Sequence, residues 1–91
     1  MRFDVLESCD GVQTAIMTLK RTEESGPLEN EHAQSSQVIV VTRGEVDAQI
    51  GDRTFRMHAG ESAIVPKGVD HRFVGASDEA ETINVYAPPA Y

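Results

Sequence analysis

The sequence predicts an all-β domain, a small antiparallel sandwich or barrel. Three observations carry that expectation. Apolar residues recur with a period near two along most of the chain. Glycine-marked turns fall at short intervals between the apolar runs. No stretch shows the 3.6-residue period of an amphipathic helix. With 91 residues, of which 40% are hydrophobic, the chain can bury one small core. Residues 1–91 are therefore read as a single domain.

Val12 to Lys20 sets Ala15, Met17 and Leu19 on one face and Thr14, Ile16 and Thr18 on the other, the alternation of a half-buried strand. Arg21 to Ser36 is rich in Glu, Ser, Gly and Pro and reads as a long polar loop. Gln37 to Arg43 is β-branched and mostly apolar, as expected of a strand covered on both faces. Gly44 ends that strand, and Val46 to Ile50 begins another.

Gly51-Asp52 suits a two-residue hairpin turn, because glycine adopts the positive φ such turns need. The turn implies a register. Ala48 lies opposite Phe55 and Val46 opposite Met57 on an apolar face, while Asp47 meets Arg56 and Glu45 meets His58 on a polar one. His58 is thereby expected at the surface. Gly60 closes the hairpin, Ser62 to Val65 is a short strand, and Pro66-Lys67-Gly68 is a turn. His71 to Val74 forms a strand, Gly75 to Ala80 a loop, and Thr82 to Ala87 the last strand before Pro88-Pro89. Seven or more short strands with tight turns make a sandwich or barrel.

Composition narrows the function classes. A net charge of −7 without a basic cluster argues against nucleic acid and against anionic membrane surfaces. No apolar run approaches the roughly 20 residues that span a bilayer. Met1 to Glu7 lacks the long apolar stretch of a secretory signal. Cys9, the sole cysteine, cannot close an internal disulfide, and its acidic neighbours Glu7 and Asp10 disfavour a reactive thiolate. A cytoplasmic protein is expected, with small molecules, metal ions or other proteins as partners. A core this small gains from a partner subunit, and a homodimer is expected.

The segment Gly60-Glu61-Ser62-Ala63-Ile64-Val65-Pro66-Lys67-Gly68-Val69-Asp70-His71 resembles the second conserved motif of the cupin superfamily. That motif runs glycine, five residues, proline, one residue, glycine, two residues, histidine, and every position is met. Its trailing asparagine is replaced by Gly75. The first cupin motif is matched in part: Gly26 is followed after five residues by His32, Gln34 stands at the second histidine, and Gln37 stands at the glutamate, six residues before Gly44. Counting back from Gly44 instead places Glu31 and Ala33 in the histidine slots, so two registers of this loop stay open.

The resemblance implies an antiparallel double-stranded β-helix, the jelly-roll barrel, and a pocket for one divalent ion such as iron, manganese, nickel or zinc. The ligand set it implies here is His32, Gln34, Gln37 and His71. Two imidazoles and two neutral amides make a weak site, since an amide oxygen donates less than a carboxylate and no charge offsets the cation. Glu31 turned inward would supply that charge. The alternative is that His32 and His71 are pocket residues hydrogen-bonded to their neighbours.

Phe73 shares a face with His71, and Arg43 shares one with Gln37, so both join Glu31 as candidates to line the pocket. Arg43 either meets an anionic ligand at the rim or pairs with Glu45 or another acidic neighbour. Ser35-Ser36 beside His32 could suggest a nucleophile and base, yet no acidic orienter is in place. A small-molecule-binding barrel is the favoured function. Its rival is a metal-dependent enzyme, a dioxygenase, isomerase or decarboxylase-like cupin acting on a small organic acid or sugar.

Overall fold

The structure is a computed structural model and describes residues 1–30 and 32–91. Eight strands follow in order: β1 (Arg2–Cys9), β2 (Val12–Lys20), β3 (Ser36–Arg43), β4 (Glu45–Ile50), β5 (Arg53–His58), β6 (Ser62–Val65), β7 (His71–Gly75) and β8 (Glu79–Ala87). They build a five-stranded sheet, β1-β2-β8-β3-β6, and a three-stranded sheet, β5-β4-β7, both antiparallel. Residues from both sheets close over one apolar cluster that includes Leu19, Ile39, Val41, Val46, Met57 and Phe73.

Period-two alternation decides which side chains face that cluster. Across the larger sheet the inward residues stand in rows. Gln13, Tyr86 and Gln37 form one row, Ala15, Asn84 and Ile39 the next, then Met17, Thr82 and Val41, and last Leu19 beside Ala80. The β4–β5 hairpin has the expected register, with Ala48 opposite Phe55, Val46 opposite Met57 and Asp47 opposite Arg56.

Three elements differ from expectation. β1, which the sequence reading did not single out, is an edge strand with mostly exposed residues and a bulge between Val5 and Glu7, and its one local signal is the Asp10-Gly11 turn that pairs it with β2. β8 begins at Glu79, since Glu79, Ala80 and Glu81 already pair with Lys20, Leu19 and Thr18 of β2. β3 is covered on one face only. Gln37, Ile39 and Val41 are buried, while Val38 and Val40 turn outward and are only half-covered, beside Val85 and Ile83. Its apolar run continues onto the outer surface beside Val85 and Ile83, and no second layer of this chain's described residues covers it.

The long polar loop runs along the free edge of β7 instead of standing away from it. Ser25 N–H donates to the Phe73 carbonyl at 2.8 Å, and Gly75 N–H donates to the Glu23 carbonyl at 2.9 Å. His71 N–H donates to the Glu29 carbonyl at 3.1 Å. An edge that would otherwise be open is thus satisfied, and the loop is laid beside the barrel mouth. Gly75 explains the missing asparagine: a Cβ there would come within 2.1 Å of the Lys20 carbonyl oxygen.

Candidate functional site

The polar rows of the barrel face a cavity of about 170 Å³. His71 opens β7 directly after the Pro66-Lys67-Gly68 corner, where Gly68 holds φ at +78°. Its Nδ1 lies 3.1 Å from the Val69 carbonyl, which fixes the ring's orientation. The His32 ring approaches from the loop, its centroid 4.6 Å from that of His71. It also meets Tyr86 edge-on at 4.9 Å. Phe73 lines the cavity two residues beyond His71, ring centres 6.0 Å apart.

Gln37 lies on β3 at the inner end of this space and is buried. Its Nε2 donates to Asn84 Oδ1 at 2.8 Å, and Asn84 Nδ2 donates in turn to Thr82 Oγ1 at 3.0 Å. This relay spends the Gln37 donor and leaves its carbonyl turned elsewhere. Gln37 Oε1 is buried and accepts no hydrogen bond among the described residues. A buried carbonyl in that state costs about 1–3 kcal/mol.

The remaining candidates fall elsewhere. Gln34 is exposed and does not line the cavity, because residues 32–34 form a turn that carries its side chain outward. Arg43 is exposed and pairs with Glu79. A bulge between Val41 and Arg43 breaks the alternation that would have kept it in phase with Gln37. Glu31 lies outside the described residues. Ser35 is buried and donates to the Pro88 carbonyl at 2.6 Å, a structural use of its hydroxyl. His58 is exposed, with Nδ1 3.1 Å from Glu45 Oε1.

Asn84, Tyr86, Tyr91, Phe3 and Ser25 also line the cavity, and sequence reading did not single them out. One signal was available. Asn84 stands in phase with Ala80 and Thr82 on the buried face of β8, where a polar amide has a reason to be.

The lining is nearly neutral. Among the described residues, no lysine, arginine, aspartate or glutamate lines the cavity. Among these same described residues, no three histidine, cysteine, aspartate or glutamate side chains come together as metal ligands. The donors that the described residues offer are two imidazoles and one amide oxygen, a neutral set weaker than one that includes a carboxylate.

Solved structures share this architecture at low identity. BH2720 from Bacillus halodurans superimposes with a TM-score of 0.87 at 23% identity, covering 96% of this chain and 70% of that one. An RmlC-like cupin from Shewanella frigidimarina gives 0.84 at 23% identity, with 96% and 75% covered. An oxalate oxidase gives 0.78 at 20% identity, with 86% and 42% covered. Likeness at this level speaks to the fold. No curated protein matches the sequence. The Cupin domain family matches residues 15–86, from β2 through β8, and takes in the Pro-x-Gly corner, the histidine it aims inward and the strands that face them. On fold, motif and family match together, the chain belongs to the cupins.

Proposed function

We propose that this chain is a single-domain cupin that binds a small, neutral, ring-sized molecule carrying a hydrogen-bond donor. One observation carries the reading: the orphaned Gln37 Oε1 beside an aromatic-walled cavity. A ligand N–H or O–H would satisfy that carbonyl once a small rotation of the carboxamide turns it toward the cavity. The cavity is close in size to the ~150 Å³ space known to admit benzene. Rings of Phe73, Tyr86 and the two histidines offer faces and edges to a planar guest. A small organic acid fits less well, since its carboxylate would face the Gln37 carbonyl with no lysine or arginine among the described lining residues.

Phenol is a suitable probe and fluorobenzene its donor-free counterpart. Titration followed by ¹⁵N NMR should shift the Gln37 and Asn84 side-chain amides saturably, with phenol binding roughly two- to tenfold tighter, the worth of one hydrogen bond. Equal affinity for the two probes would overturn the reading.

A metal-dependent enzyme is the second reading, favoured by the Val69 carbonyl contact that orients the His71 ring as ligand histidines are oriented. His32 and His71 would hold the ion, and the metal would supply Lewis-acid or redox chemistry. Elemental mass spectrometry on wild type and His71→Ala decides it. Near-stoichiometric metal lost in the variant supports the enzyme; metal-free protein after exposure to iron, manganese and zinc opposes it.

A homodimer belongs to the same proposal. Its support is the outward row of Ile16, Ile83 and Val40 on the larger sheet, next to Val85, Val38 and Ile64. Sedimentation as a monomer at micromolar concentration would contradict it. Cytoplasmic location rests on the lone, exposed Cys9.

A further inference from the structure

We propose that residues 88–91 are a strap that roofs the cavity, with Tyr91 setting the size of molecule that enters and Gln13 and Ser35 as its positioning residues. The role rests on the cavity being a ligand site. Two buried polar side chains are committed to this segment, although it belongs to neither sheet.

Gln13 sits on the inward face of β2, opposite Tyr86, and is 1% exposed. Its Oε1 accepts from the N–H groups of Ala90 and Tyr91, each at 3.0 Å. Its Nε2 donates to the Tyr91 main-chain oxygen at 2.7 Å and to Ser8 Oγ at 2.9 Å. Three of these four bonds hold the strap. A buried carboxamide must be satisfied, and here the satisfaction comes from residues 77 and 78 positions along the chain. Ser35 makes a second anchor by donating to the Pro88 carbonyl. Ser35 N–H also donates to the His32 carbonyl at 2.9 Å, so the strap and the histidine-bearing loop are tied together.

What the anchors hold in place is one ring. Tyr91 lines the cavity, with its centroid 4.8 Å from Phe3, 5.2 Å from Tyr86 and 6.4 Å from His32. The residue is nevertheless 56% exposed. A ring with one side on the cavity and the other in water is a roof, and removing it opens the space without emptying the core.

The chain contains no tryptophan and two tyrosines, which makes the test direct. Tyr91→Phe keeps the ring, Tyr91→Ala removes it, and both leave the buried Tyr86 as the sole fluorophore. Acrylamide should quench Tyr86 several-fold more efficiently in the alanine variant than in the phenylalanine variant. Equal quenching overturns the roof. By saturation-transfer NMR, 2-naphthol should bind Tyr91→Ala and not Tyr91→Phe; binding to both overturns the size role. Adding Gln13→Ala to Tyr91→Phe should raise quenching toward the alanine value, and Ser35→Ala serves the same purpose if the glutamine variant does not fold. A phenylalanine variant that fails to bind phenol while the quenching difference persists would refute the ligand reading and leave the roof standing.

Discussion

The two ends of the barrel interior are built from the same strands and do opposite things. At one end, Leu19, Val41, Val46, Met57 and Ala80 pack against one another with almost no exposure. At the other, β2, β3 and β8 turn Gln13, Gln37 and Asn84 inward, and β7 adds His71. The change takes place within two or three inward positions of each strand. Stability is therefore concentrated at the closed end, and the polar end is free to keep a cavity and an unsatisfied carbonyl.

The comparison is broken most directly at the closed end. Leu19→Ala should cost about 2–5 kcal/mol in urea unfolding, the range for a fully buried leucine. A loss below 1 kcal/mol would mean that the closed end does not carry the stability. At the polar end, Gln37→Leu should leave stability within about 1 kcal/mol of wild type. It removes one orphaned carbonyl while depriving Asn84 Oδ1 of its donor, and the two effects oppose each other. Phenol should lose its advantage over fluorobenzene in the same variant. A large destabilisation without a binding change would make Gln37 structural.

The smallest effect belongs to neither interior end. Hydrogen bonding from Arg56 holds the Asp47 carboxyl below the usual carboxylate range, with the guanidinium 2.8 Å away. A carboxyl depressed in the folded state stabilises above its ordinary unfolded value, and that contribution disappears as pH falls through the depressed one. Asp47→Asn should thus be slightly less stable than wild type at pH 7, and the gap should close in acid. Thermal melts at pH 7 and pH 3 check this, and a gap that widens in acid would contradict it.

Local features of the fold were legible, and features that depend on distant chain were not. Gly51-Asp52 determines the β4–β5 pairing within a few residues, so Ala48, Phe55, Asp47 and Arg56 could be matched by counting. Arg43 could not be placed by the same counting, because the bulge after Val41 arises in pairing with β8 nearly 40 residues away. His71 was legible through the Pro-x-Gly corner beside it. Gln34 depended on the path of a loop held by β7, which no local pattern records. Tyr91 escaped notice because its role is created by Gln13, at the far end of the sequence.

The position of β8 at the centre of the larger sheet governs the order of assembly. It pairs with β2 on one side and β3 on the other. Until Glu79–Ala87 docks, β1–β2 and β3–β6 are separate ribbons with open edges, and of the strand pairs only the β1–β2 and β4–β5 hairpins can form from near neighbours. Closing such long loops before the reward of contact arrives is slow, so this barrel should refold on the millisecond-to-second scale of non-local β proteins. On a ribosome, the exposed ribbon edges would wait for the last strand, which makes nascent chains the form most vulnerable to misassembly.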